Sequence, residues 1–76
     1  MRTYQTLEAV VLTRDLPAHN LRKGDLGTVV EVYTAGAVEV EFQTASGRTA
    51  ALVTLDAEDV RPGADDDLMA VRPNRP

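Results

Sequence analysis

Apolar and acidic side chains alternate over residues 37–42, which read Ala-Val-Glu-Val-Glu-Phe. Successive side chains of a β-strand point to opposite faces of the sheet. The two valines and Phe42 therefore share one face, and Glu39 and Glu41 share the other. This segment predicts a half-buried strand with an apolar inner face and an acidic outer face.

Further strands are indicated by segments rich in β-branched residues, which are separated by turn residues. These segments are residues 9–13, residues 27–33, residues 49–55 and a brief strand from Val60 that Pro62 and Gly63 end. The long connection over residues 14–26 is expected to fold its Leu16 and Leu21 under the sheet. Asp56 is expected to cap the short turn before Val60, because a carboxylate can accept hydrogen bonds from free backbone N–H groups.

Five short strands in a chain of 76 residues leave sheet edges that invite aggregation. Closing the sheet removes these edges and buries one face, so we expect an all-β barrel over residues 1–63. Its expected core is Val10, Leu12, Val30, Val32, Val38, Val40, Phe42, Val53 and Leu55. Residues 64–76 contain three consecutive aspartates and two prolines, and are expected to form a flexible acidic tail.

Residues 24–32 read Gly-Asp-Leu-Gly-Thr-Val-Val-Glu-Val, a glycine-aspartate turn that enters a strand. This turn resembles the entry to the second strand of several SH3-like barrels. Among them are the barrel at the C-terminus of the nitrile hydratase beta subunit and the KOW-type barrels of ribosomal and transcription-elongation proteins. Together with residues 10–17 and 52–62, it also makes residues 7–62 resemble a bacterial family of small proteins of unknown function.

The resemblance implies a fold: a small SH3-like barrel of about five short antiparallel strands, with a short 3-10 turn before the last strand. It implies no activity, because this fold hosts many unrelated functions. Within the turn, Gly24 and Gly27 are expected to adopt positive φ angles, which strain other residues. Asp25 is expected to hold the turn by accepting hydrogen bonds from nearby backbone N–H groups.

The net charge of −4 and the pI near 4.7 bear on the choice of partner. Nucleic-acid binding depends on basic patches that contact phosphates, so this charge argues against nucleic acid. A basic protein partner fits better, because opposite charges steer two proteins together. The candidate partner-binding face consists of Glu31, Tyr33, Glu39 and Glu41. Mild acidity also has a plainer role, since it keeps a small domain soluble.

Residues that carry catalytic or metal chemistry are scarce in the sequence. The chain has no cysteine, one histidine (His19) and one serine (Ser46), and no nucleophile elbow or phosphate-binding loop. His19 and Asp15 lie near each other in the long connection, but an exposed loop histidine is the simpler interpretation. We therefore expect no enzyme activity, no cofactor and no metal site.

The leading functional hypothesis is a non-catalytic protein-interaction module. In its specific form, the protein is the small neutralising partner of a toxin-like protein, antitoxin- or immunity-like, or an accessory partner of an enzyme. One alternative is a nucleic-acid or ribosome-associated barrel that acts through residues 23–32, and another is a self-associating structural domain. No apolar run approaches the ~20 residues of a membrane helix or forms a signal peptide, so we expect a cytoplasmic protein.

Overall fold

The computed structural model describes residues 4–64, and in this part the chain is all-β. Five antiparallel strands form one sheet: β1 (Ala9–Leu12), β2 (Leu26–Val32), β3 (Ala37–Gln43), β4 (Thr49–Asp56) and β5 (Val60–Pro62). Short 3-10 turns occur at Pro17–His19, Thr34–Gly36 and Ala57–Asp59, and residues 4–64 contain no α-helix. The prediction of an all-β fold with five antiparallel strands and a 3-10 turn before the last strand is confirmed. The predicted tail lies, apart from Ala64, outside the described residues.

The strands follow the order β4-β3-β2-β1-β5 across the sheet. β2, β3 and β4 form a meander, and the chain then returns so that β5 pairs with β1. β4 and β5 are the two edges and do not pair with each other, so the predicted closure of the sheet is wrong. β5 has only three residues and ends at Pro62, which has no backbone N–H to extend a ladder.

One face of the sheet packs on a single apolar core. The strands contribute the buried side chains of Val10, Leu12, Val29, Val38, Val40, Phe42, Val53, Leu55 and Val60. Leu16 and Leu21 of the long connection are also buried, as predicted. They exchange two backbone hydrogen bonds with N···O distances of 2.9 and 3.1 Å, so the connection pairs with itself beneath the sheet.

A β-bulge in β2 changes which of its valines reaches the core. Val29 lies opposite Val40, but Glu31 rather than Val30 lies opposite Glu39. The extra residue shifts the alternation of side chains by one position. The predicted burial of Val30 is therefore wrong: Val29 is fully buried and Val30 is half-buried. Val32 lies opposite the buried Val38, but it is the last residue of β2 and is 39% exposed, so its predicted burial is also wrong.

Two further contacts tie the ends of the described chain to the sheet. Tyr4 is buried in the core before the first strand, and its hydroxyl donates a hydrogen bond to the Val60 carbonyl at 3.1 Å.

Near the last turn, Asp56 makes no capping hydrogen bond with its side chain, so the prediction that it caps this turn is wrong. The neighbouring carboxylate of Asp59 instead pairs with Arg14, with 2.8 Å between Nε and Oδ1.

Candidate functional site

Three glutamates lie on the outer face of β2 and β3. Glu39 and Glu41 alternate with the buried valines of β3, and Glu31 lies directly across from Glu39. Residues directly opposite each other in an antiparallel pair point to the same face, so the three carboxylates share one surface. We call Glu31, Tyr33, Glu39 and Glu41 the acidic face.

The bulge in β2 is what brings Glu31 to this surface. In a regular strand, Glu31 would share the face of Val29, which is the core face. The register shift between Val29 and Glu31 turns the glutamate to the outside. Bulges commonly re-aim a side chain in this way, and they are over-represented beside functional sites.

Tyr33 follows β2 and closes one end of the acidic face. Its backbone N–H donates to the Ala37 carbonyl at 2.9 Å, and its hydroxyl donates to Glu39 Oε1 at 3.2 Å. The pKa of the Tyr33 phenol is raised above its ordinary value, because partial desolvation and then the negative charges of Glu39 and Glu31 disfavour the phenolate. Tyr33 as a whole residue is 43% exposed and is therefore accessible to a partner.

Neutral donors surround Glu41 at the other end. Its carboxylate accepts hydrogen bonds from the Thr49 hydroxyl and from Gln43 Nε2, the latter at 3.5 Å. Within residues 4–64, none of the three glutamates forms an ion pair. The acidic face therefore presents negative charge that the described part of the chain does not neutralise.

Strand β4 borders the acidic face with two exposed side chains. Leu52 lies opposite Glu41 and Thr54 lies opposite Glu39. Leu52 is 54% exposed, which places an apolar surface beside the carboxylates. This leucine is not among the residues predicted for the partner-binding face. The alternation that sends Val53 and Leu55 into the core was the available signal, because it directs Leu52 outward.

The glycine-aspartate turn holds β1 against β2. Gly24 has a φ angle of 95°, and its N–H donates to the Leu12 carbonyl at 2.9 Å. Asp25 is buried, and its carboxylate accepts a hydrogen bond from the Arg22 N–H at 2.9 Å. These contacts make Gly24 and Asp25 structural residues of the turn.

Gly27 has a different role from the one expected. Its φ angle is not positive, so the expectation of a left-handed conformation is wrong at this position. A Cβ atom on Gly27 would lie 2.6 Å from Val40 Cγ1 and 2.8 Å from Phe42 Cε1. The absence of a side chain lets β2 approach the side chains of β3, and the requirement is one of space.

The other candidate residues do not converge on a chemical site. Asp15 Oδ1 accepts a hydrogen bond from the Lys23 N–H at 2.8 Å, and His19 lies exposed at the end of a 3-10 turn. No group of three or more His, Cys, Asp or Glu that could hold a metal ion occurs in the described part of the chain. Leu7, which is not among the predicted site residues, is 78% exposed and has a φ angle of 74°.

No helix among residues 4–64 is long and apolar enough to cross a membrane.

Comparison with known proteins gives one match. No curated protein and no solved structure matches the chain. A family model described as a domain of unknown function matches residues 6–62, well over half of the 76 residues. The match covers all five strands, the glycine-aspartate turn and the acidic face. The chain therefore belongs to the family of the domain of unknown function DUF4926.

Proposed function

We propose that this protein is a non-catalytic interaction module whose acidic face binds a basic surface of a partner protein. The observation that carries the proposal is the cross-strand pair of Glu31 and Glu39, which has no cation beside it in the described chain. Like charges directly opposite each other destabilise a sheet, whereas opposite charges stabilise it by about 0.2–1 kcal/mol. A lysine or arginine of a partner removes this repulsion on binding, so the pair favours a basic occupant.

We further infer that the sheet is an SH3-like barrel with an open seam between β4 and β5. Three observations support this: the meander of β2 to β4, the return of β5 to β1, and the 3-10 turn Ala57–Asp59 between the two edge strands. Such a scaffold presents side chains on rigid strands, which suits recognition by a fixed charge pattern.

The partner classes proposed from the sequence remain the specific forms of this function. One is a toxin-like protein that this chain neutralises, and another is a catalytic subunit that it accompanies. A nucleic-acid role remains the alternative, and the adjoining exposed side chains of Arg22 and Lys23 are the feature that favours it. An RNA mobility shift at low salt that is lost when both residues are changed to Gln would support this alternative over a protein partner.

The test is recovery of the partner from the native host with the tagged full chain, read by mass spectrometry. One variant carries Glu31→Lys and Glu41→Lys on the acidic face. The matched control carries Asp15→Lys and Glu58→Lys, which changes the net charge equally at exposed positions outside the strands and off this face. We expect one protein in stoichiometric amount with the wild type and the control, and its loss with the acidic-face variant. Equal recovery with both variants would contradict the proposal.

A further inference from the structure

The two edges of the sheet differ in how they are protected against added strands. β5 has three residues, and one of them is Pro62, which limits the number of backbone hydrogen bonds that β5 can form with an added strand. β4 has eight residues and contains no proline, lysine or arginine. Edge strands in natural proteins are usually blunted by such residues, by short length or by a covering segment. β4 has neither these protective residues nor a short length.

No described segment covers the outer edge of β4. Within residues 4–64, β3 is its only strand neighbour, and no loop donates or accepts a backbone hydrogen bond along it. Its one irregularity lies at the start, where the register shifts near Thr49, so residues 51–56 pair regularly with β3. In an antiparallel strand, every second residue directs its N–H and C=O away from the paired neighbour. β4 therefore offers a row of donors and acceptors.

We propose that the open edge of β4 takes an extended, basic segment of a partner protein, which adds to the sheet as a sixth strand. This inference rests on the proposed function, because it specifies how the basic partner engages the acidic face. Main-chain hydrogen bonds supply affinity in this mode, and alternate side chains supply specificity. The outward side chains of the added strand lie beside Leu52 and Thr54, which are exposed on the outer face of β4.

Charge selects the occupant. Neighbouring strands lie about 4.8 Å apart, so the added strand is about 10 Å from β3, which carries Glu39 and Glu41. This separation exceeds the Debye length of about 8 Å at physiological salt, but the long stems of lysine and arginine bring their charges closer to the carboxylates than that length. A second copy of this chain is disfavoured as occupant. It also carries a net charge of −4, and pairing would bring two acidic faces together on one surface.

The experiment uses the full chain and a ten-residue synthetic peptide of alternating Lys and Val. Amide hydrogen exchange is measured by NMR with and without the peptide, together with binding by titration. We expect exchange to slow about tenfold or more at alternate amides of β4, and to stay unchanged in β5. Two control peptides accompany it: the same sequence with every backbone amide N-methylated, and alternating Glu and Val.

The controls separate this inference from the function on which it rests. If the N-methylated peptide binds as well as the parent and β4 gains no protection, strand addition is overturned while binding by the acidic face stands. Equal binding of the Glu–Val peptide, or no binding of the Lys–Val peptide, overturns the basic occupant. Protection of the β4 edge in the free protein also overturns the basic occupant. Protection at all protein concentrations would assign the edge to residues 65–76. Protection that appears only together with dimer formation would assign it to a second copy.

A pair of matched variants locates the binding surface. Leu52→Lys and Leu7→Lys each replace an exposed leucine by lysine, but only Leu52 lies on β4. Leu7 precedes β1, and its N–H donates to the carbonyl of Val29 in β2, which β3 separates from β4. We expect Leu52→Lys to weaken peptide binding about tenfold, because it places a positive charge on the edge that receives the basic strand. Equal weakening by both variants would contradict the proposal.

Discussion

Gly24 and Gly27 lie three residues apart in one turn and are required for different physical reasons. Gly24 has a left-handed backbone with open space around its Cα, so the constraint there is conformational. Gly27 has an ordinary backbone but packs against Val40 and Phe42, so the constraint there is steric. The sequence pattern identified both positions and could not separate the two causes, because the packing partners of Gly27 lie in another strand.

Substitutions at the two glycines separate these causes. We expect Gly27→Ala to lower the free energy of unfolding by about 1–3 kcal/mol through overpacking, and Gly27→Asn to lower it further. At Gly24 the order is reversed, because Asn tolerates the left-handed region better than Ala does. Urea unfolding of the four variants measures this. The same ranking of Ala and Asn at both positions would contradict the assignment.

Because Glu31 and Glu39 repel each other, we expect a substitution that removes one of the two charges to stabilise the fold and to weaken partner binding. We expect Glu31→Lys to raise the free energy of unfolding by about 0.2–1 kcal/mol, because it replaces a like-charge pair with an opposite-charge pair. High salt reduces this gain by screening. The same variant weakens partner recovery. Urea unfolding at low and high salt provides the measurement, with Glu58→Lys as the exposed control; an equal gain in that control would show that the cross-strand pair is not the cause.

At the scale of elements, the sequence predicted the strands well, because alternation and turn residues are local signals. The predicted bounds of β1 to β5 agree with the structure to within about one residue, and the burial of Leu16 and Leu21 is confirmed. The burial expected for Val30 is wrong, because a bulge depends on the partner strand and leaves no mark in the alternation. The burial expected for Val32 is wrong because this residue lies at the exposed end of β2. The structure places Glu31, Glu39 and Glu41 together on the outer face of the sheet.

The 3-10 turn Ala57–Asp59 is held by an ion pair that makes stability depend on pH. The guanidinium of Arg14 donates to the Asp59 carboxylate and holds the pKa of Asp59 below its ordinary value. A carboxyl with a lower pKa in the folded state contributes stability above its unfolded pKa, and this contribution is lost as the pH falls through the folded pKa. It is therefore fully present at neutral pH and absent in strong acid.

We expect Asp59→Asn to be less stable than the wild type at pH 7 and to approach it as the pH falls below the ordinary aspartate pKa. Urea unfolding across this pH range provides the measurement, with Glu58→Gln as a control on the same turn. A constant stability difference between Asp59→Asn and the wild type at every pH would contradict the ion-pair explanation, since a purely steric effect does not titrate.

At the scale of the whole molecule, the first and last described elements meet in the core. Tyr4 precedes β1, yet its hydroxyl bonds to the carbonyl of Val60 in β5. A chain this short has a thin core, so a buried aromatic ring at this junction contributes a large share of it. Tyr4 is absent from the predicted core because its contact joins residues that are far apart along the chain. No local pattern at residues 4–8 indicates it.

We expect Tyr4→Phe to lower the free energy of unfolding by about 1 kcal/mol, because it removes the hydroxyl and leaves the Val60 carbonyl without this donor. Tyr33→Phe is the control, since it also removes one hydroxyl hydrogen bond, but at an exposed ring. Thermal unfolding of both variants compares them. A greater loss for Tyr33→Phe would show that the junction of Tyr4 and Val60 is not important for stability.

The unequal edges of the sheet limit how this protein assembles. A filament that grows by edge-to-edge strand pairing needs two competent edges on every subunit, one to receive and one to extend. Here β5 is short and ends in proline, so a strand added to β4 has no counterpart on the opposite side. If a partner strand adds to β4 as proposed, growth stops after one addition, and each chain takes one partner. A three-residue edge strand that ends in proline therefore disfavours open-ended polymerisation of the sheet.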